Sequence, residues 1–173
     1  MFLNFKKQNT AKIRINGGFT LVESLVAISI VLISIAGPLT IVAKNLAYAR
    51  YARDQITAFY LAQEAVEFVR NTRDNNILEG NDWLGGLDAC INGVCIVDSP
   101  ANTIEICGGS CEPLELSNSG IYGYSGIDTI FTREVSIEEI VDDREATLDI
   151  TVRWTGGTLQ RNFTIREHIL NWQ

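Results

Sequence analysis

Apolar and polar positions divide the chain into three textures. From Ser24 to Ala43, twenty consecutive residues carry no charge (SLVAISIVLISIAGPLTIVA). As a helix they cover about 30 Å, the thickness of a bilayer's hydrocarbon core. A buried core helix would be shorter, and a removable secretory signal would end a shorter apolar run at small residues. Here Lys44 follows at once and a helical pattern continues, so the reading is a membrane-spanning helix that stays attached. Pro38, after Gly37, lies inside the run and is expected to kink or loosen it, which a membrane helix tolerates.

Over 44–75 the texture becomes amphipathic. Leu46, Ala49, Ala52, Ile56, Phe59, Ala62, Val66 and Val69 recur at steps of three or four as one apolar stripe. Lys44, Arg50, Arg53, Asp54, Glu64, Glu67, Arg70 and Arg73 mostly fall elsewhere. Arg73-Asp74-Asn75-Asn76 is the expected stop, which makes one helix of about 55 residues, lipid-facing over 19–43 and amphipathic over 44–75.

The third texture, 76–173, is extended. Turn residues crowd the region 80–125 (Gly80-Asn81-Asp82, Gly85-Gly86, Asn92-Gly93, Gly108-Gly109), and 130–169 reads as an antiparallel meander. Its first strand, Ile130–Val141, ends at Asp142-Asp143. The next alternates, with Leu148, Ile150, Val152 and Trp154 on one face and Thr147, Asp149, Thr151 and Arg153 on the other. After Gly156-Gly157, Leu159, Phe163 and Ile165 return on one side. Tyr122, Tyr124, Trp154, Leu170 and Trp172 read as core and closure. The fold class is therefore α+β, with a three- or four-stranded antiparallel sheet packed on the amphipathic half of the helix.

Charge adds a direction. Of 173 residues, 46% are apolar and 20% charged, which excludes a disordered tail, and the net charge is -7. The first 18 residues hold Lys6, Lys7, Lys12 and Arg14 and no acid, so the other 10 basic residues face all 21 acids, a net of -11. Such a body repels phosphate backbones, so no nucleic-acid partner is expected. Four basic residues and no acid before the span place the N-terminus in the cytoplasm and the body outside. One histidine and one methionine leave little material for an acid–base centre, and no enzyme is expected.

The anomaly is Glu23. A carboxylate within a membrane segment costs roughly 3 kcal/mol, and no basic side chain lies between Phe19 and Ala43. The bland reading is a solvated residue at the headgroup boundary. Yet Gly18-Phe19-Thr20-Leu21-Val22-Glu23, after a short basic leader and before the apolar run, resembles the class III signal of type IV prepilins and type II secretion pseudopilins. The resemblance implies a cleaved leader, 1–18, with the cut between Gly18 and Phe19 made by a membrane prepilin peptidase that also N-methylates Phe19. It implies the α+β pilin lollipop, storage in the bacterial inner membrane, and assembly on an inner-membrane platform with other pilin or pseudopilin subunits. Cleavage would create an amine four residues before Glu23, on the same helix face by i,i+4 spacing. The pair could close within one subunit or across neighbours; the family implies the second. The stretch from Ala58 to Arg70 is similar to minor pilins and pseudopilins, as is the strand–glycine turn–Asn171-Trp172 ending.

Four cysteines, Cys90, Cys95, Cys107 and Cys111, fall in the loop region. Outside the cytoplasm, disulfides are their expected state. An Asn92-Gly93 type I′ hairpin would set Ile91 opposite Val94 and Cys90 opposite Cys95, and Cys107 could close a small loop with Cys111. Nested pairing, a four-cysteine zinc site and free thiols are the alternatives; no metal or cofactor is expected. Glu138, Glu139, Asp142, Asp143 and Glu145 could hold calcium, but lack the spaced loop of an EF-hand and read better as a solvated strand turn. His168, beside Glu167, reads as an edge residue. The expected function is a structural filament subunit, a minor pilin. The alternatives are a tip-located binding module using 80–125, a secretion pseudopilin, and a membrane-tethered enzyme that shares only the N-terminal address.

Overall fold

The computed structural model describes residues 17–91 and 93–171. The chain divides into two compact units, Met1–Leu46 and Ala47–Gln173, each treated in its own terms. One helix, α1 (Leu21–Glu79), contributes to both.

In the first unit every described residue of α1 is exposed, and its apolar window, with a mean hydropathy of 2.5, is long enough to cross a membrane. Its polar side chains are satisfied locally: Ser29 Oγ donates to Leu25 O at 2.8 Å, Ser34 Oγ to Ile30 O at 2.7 Å, and Thr40 Oγ1 to Gly37 O at 2.7 Å. Hydroxyls bonded back into their own helix can enter hydrocarbon without an orphaned donor. The helix continues through Pro38.

α1 ends later than Asn76, at Glu79, and the cause is local. Gly80, at φ +74°, supplies the left-handed residue. Its N–H donates to Ile77 O at 3.2 Å and the Asn81 N–H to Asn76 O at 2.9 Å, the two bonds of a Schellman cap. Asn76, read as a breaker, instead donates through Nδ2 to Gly85 O at 2.8 Å and ties down the following loop.

In the second unit, seven strands form one antiparallel sheet: β1 (Cys95–Asp98), β2 (Thr103–Ile106), β3 (Pro113–Leu116), β4 (Tyr122–Gly123), β5 (Ile127–Val141), β6 (Glu145–Gly156) and β7 (Leu159–Leu170). The last three are the meander, running from Phe131↔Trp154 to Gly156↔Leu159 with one register shift in β5 between Glu139 and Val141. The other four enlarge the sheet beyond three or four strands. On its far side, β5 pairs β3 near Ile127–Thr132 and β1 at Val135. Gly126 precedes β5 because a Cβ there would collide with the Leu116 carbonyl.

The alternation of β6 holds: Leu148, Ile150, Val152 and Trp154 are all buried. In β7, Phe163 and Ile165 are half-buried and Ile169 is buried, whereas Leu159, at the turn, is exposed. Tyr122 and Tyr124 pack half-buried against the core. Burial pushes the Tyr124 hydroxyl up to about 12 against the opposing pull of the Arg133 charge. Trp172, read as closure, lies outside the described residues. On the wet face of the sheet, Arg166 bonds both oxygens of Asp149 at 2.7 Å, which holds that carboxyl below its ordinary value. The stabilisation this adds is present above the unfolded carboxylate range and lost as pH falls through the lowered value.

The helix buries only the C-terminal part of the stripe its periodicity suggests, Ala62, Val66 and Val69, and adds neighbours to it. Ala58, Leu61, Ala62, Ala65, Val66 and Val69 face the sheet, while Leu46, Ala52, Ile56 and Phe59 are exposed. The second unit's part of α1 carries two apolar faces, and the one lined by alanine lets the backbone approach most closely. Phe59 still meets Phe163 edge-on, with ring centroids 5.8 Å apart. Trp83, Leu84 and Leu87, just past the helix, complete the core.

Inside that core sits Arg133, on the inward face of β5 between Phe131 and Val135, with no exposure at all. Its guanidinium donates to Leu61 O on α1 at 2.9 Å and to Val97 O on β1 at 2.6 Å, with Glu64 at 3.6 Å. One side chain thus ties helix, central strand and flanking strand. Arg133→Ala should destabilise the protein by about 3–5 kcal/mol, through an unfilled cavity and two abandoned carbonyls. Arg133→Met, which refills the stem volume, should cost clearly less. Urea unfolding of the full chain in detergent, followed by tryptophan fluorescence, measures both.

Candidate functional site

Residues 17–20 are not helical, and α1 begins at Leu21. What starts it is Thr20. Its Oγ1 accepts the Glu23 N–H at 3.2 Å, and its carbonyl accepts the Ser24 N–H at 3.1 Å, the geometry of an N-cap. Thr-x-x-Glu is half of a capping box, a signal the sequence carried at Thr20. Among the described residues Glu23 makes no bond back to the cap, so its carboxylate stays uncommitted.

Gly18 and Phe19 precede this cap. Phe19 is 80% exposed, and a Cβ at Gly17 or Gly18 would meet nothing within 4 Å. The Gly18–Phe19 peptide bond therefore lies in non-helical, uncovered chain, the form in which an enclosing protease site can grip a backbone. Phe19 itself stands outside the helix, so the i,i+4 geometry does not apply to it as such; it sits one residue before the cap. The basic leader, apart from Gly17 and Gly18, lies outside the described residues.

Glu23 lies in the first turn of α1, where the helix's unpaired N–H groups present partial positive charge. That field is worth about 0.3–1 kcal/mol, up to roughly 2, against roughly 3 for a carboxylate deep in a bilayer. The helix end offsets part of the cost and leaves the remainder to a counter-charge. Among the described residues none is paired with Glu23.

The cysteines form a second feature, in the other unit. Cys90 is bonded to Cys95 and Cys107 to Cys111, with α-carbons 4.9 Å apart in each pair, and none of the four is free. Nested pairing, zinc and free thiols are thereby replaced by two short-range bridges. The backbone under the first is not the expected hairpin. Cys90 ends a short 3-10 turn (Asp88–Cys90), and Ile91 makes an isolated parallel bridge to Ile137 rather than facing Val94. Burial explains the departure: Leu87 and Cys90 are drawn fully into the core, where Cys95 opens β1 opposite Ile106. Asn92 lies outside the described residues. The second bridge closes the β2–β3 loop, after the Cys107 N–H has donated to Val94 O at 2.8 Å.

The acids at the β5–β6 turn do not converge on a point. Glu145 pairs with His168 Nδ1 at 2.7 Å, the Asp143 carbonyl accepts from Asn171, and the described residues hold no cluster suited to a metal ion. His168 is an exposed edge residue.

Comparison with known proteins adds one match. Residues 13–37 fit the family model of the prokaryotic N-terminal methylation motif, the class III signal, which is consistent with a type IV pilin or pseudopilin precursor. No curated protein and no solved structure matches the chain. The motif covers Gly18, Phe19, Thr20 and Glu23 together, the residues that the structure places at the uncovered peptide bond and at the helix start.

Each bridge closes a loop of four or five residues, worth about 2 kcal/mol in the chain-entropy account. Reduction with dithiothreitol should therefore lower the melting temperature of the body by roughly 5–10 °C per bridge. The buried Cys90–Cys95 pair should require partial unfolding before it reacts, whereas Cys107–Cys111 should reduce first. Thiol alkylation with mass analysis at intermediate reductant reads the order.

Proposed function

We propose that this chain is the precursor of a filament subunit, a minor pilin. It is cut between Gly18 and Phe19 on the cytoplasmic face, methylated on the new Phe19 amine, and held in the inner membrane by residues 19–43 until assembly. The carrying observation is the capped first turn: Thr20 starts the helix directly after an exposed Gly18–Phe19 bond, and among the described residues the Glu23 carboxylate has no partner. Cleavage supplies the missing charge, because the freed amine is positive and N-methylation keeps it so. In a filament, Glu23 of an incoming subunit meets the Phe19 amine of its neighbour, which fixes axial register. The motif favours a structural subunit over an enzyme. Its partners are the prepilin peptidase, the assembly platform and other pilin subunits.

A second reading, a binding module at a filament tip, is favoured by apolar side chains left in water on the bridged part of the sheet: Ile106 at 69%, Ile121 at 54% and Ile127 at 73% exposure.

Co-expression with a prepilin peptidase should yield a mature chain beginning at methylated Phe19, read by N-terminal mass analysis; a chain still starting at Met1, or cut elsewhere, overturns the proposal. Glu23→Ala should be cleaved normally yet fail to enter filaments. For the second reading, Cys107→Ser with Cys111→Ser should leave assembly intact and abolish attachment of assembled filaments to their target surface. Unchanged attachment excludes that role for the bridge.

A further inference from the structure

β7 forms one border of the sheet: it pairs β6 on one side and no strand among the described residues on the other. The edge is long, twelve residues, and carries neither proline nor bulge, the devices that ordinarily blunt such an edge. Its side chains alternate. Arg161 lies over the Tyr51 ring, Phe163 meets Phe59, and Glu167 pairs with Arg70, so the odd-numbered positions face α1. Asn162, Thr164 and Arg166 are exposed on the opposite face. Beside Phe163 lies an apolar groove of about 380 Å³, walled by Ile56, Phe59 and Tyr60, which keep 57%, 44% and 64% of their surface exposed.

A bare edge offers its backbone to any strand, and its side chains choose the partner. Here they match the strand itself. In an antiparallel self-pairing about a two-fold axis at Thr164, Leu159 lies opposite Ile169, Arg161 opposite Glu167, and Phe163 opposite Ile165. On the other face Thr164 meets its own copy and Arg166 meets Asn162. Apolar side chains face apolar ones and each cation on the helix side faces a carboxylate, twice over by symmetry. An axis at any other residue from Gln160 to His168 sets a charged side chain against an apolar one or against its own copy. An axis between residues would put helix-facing side chains opposite solvent-facing ones.

We propose that the β7 edge is a self-recognition surface whose partner is β7 of a second copy of this chain, joined across a two-fold axis at Thr164. The two sheets become one. Phe163 stands next to the axis, so the groove beside it meets its own copy, and the apolar face that α1 leaves in water is covered. A two-fold between antiparallel strands stands across the sheet and reverses every element lying along it, α1's share of the body included. The contact therefore joins copies that approach from opposite directions, not head-to-tail neighbours of one filament. It rests on the second unit alone and is independent of the filament reading.

The test uses the full chain in detergent, where sedimentation should show a concentration-dependent dimer. Arg161→Glu should weaken it about tenfold, because each dimer loses two charge pairs. Arg161→Glu combined with Glu167→Arg should restore it, since the two positions lie six residues apart on one strand and meet only across the axis. The four native cysteines are bridged, so an added one is the only free thiol. Under mild oxidation Thr164→Cys should give a disulfide-linked dimer, its α-carbons about 4.5–5.5 Å apart. Asn162→Cys, about 13 Å from its own copy, should not. The cysteine pair decides the matter where a charge variant does not fold. A chain that stays monomeric, a folded combined variant no better than Arg161→Glu, or a dimer that links at Asn162→Cys as readily as at Thr164→Cys overturns the proposal.

Discussion

One helix has an uncovered, apolar first half able to cross a membrane and a second half that packs a body, and most of the molecule follows from that division. Leu21–Ala43 is helix throughout and apolar enough to cross a membrane, and Ser29, Ser34 and Thr40 are bonded back into it, as hydrocarbon with no water to receive an unpaired group would require. In water, the same helix must bury a face, and it does so with Ala58, Leu61, Ala62, Ala65, Val66 and Val69 against the sheet. Leu61, Val66 and Val69 each bring about 1.5–3 kcal/mol of burial, while the alanines bring proximity. Glu23 is the single ionisable side chain of the uncovered half before Lys44. Among the described residues of the first unit it has no counter-charge.

The body is held by a different logic. Three long strands form a regular meander, but the four short strands from the turn-rich region could not stand alone. They are tied in by point attachments: Arg133 reaching Val97, the Cys90–Cys95 bridge into the core, and the Asn76 amide holding the loop at Gly85. An arginine inside an otherwise apolar face is a costly device unless its donors find acceptors. Here two backbone carbonyls from different elements serve Nη1 and Nη2, while Nε has no acceptor among the described residues.

Much of this was legible in the chain itself. Period-2 alternation over Leu148–Trp154 and the Gly156-Gly157 turn placed the meander, because a half-buried strand must alternate. The span and the signal residues stood out for their length and for one misplaced carboxylate. Three things did not. The amphipathic half of α1 carries two apolar faces, and periodicity cannot choose between them without knowing where a backbone can come closest. Arg133 reads as a surface charge until the carbonyls of Leu61 and Val97 are seen to receive it. The Cys90–Cys95 pairing was one of several arrangements open to the four cysteines, and its backbone was not the expected one, since Leu87 and Cys90 are drawn into the core and Cys90 ends a 3-10 turn. At the site, the Thr20 cap is written as Thr-x-x-Glu, whose glutamate is also the misplaced carboxylate.

The pairing of Glu23 with a freed N-terminus is tested most directly by zero-length carbodiimide coupling of assembled filaments, with the linked peptides identified by mass spectrometry. The expected product joins the Phe19 amine of one chain to the Glu23 carboxylate of another, and is absent from unprocessed protein. Coupling of Glu23 to some other amine, or the same product in chains that still carry their leader, would contradict it.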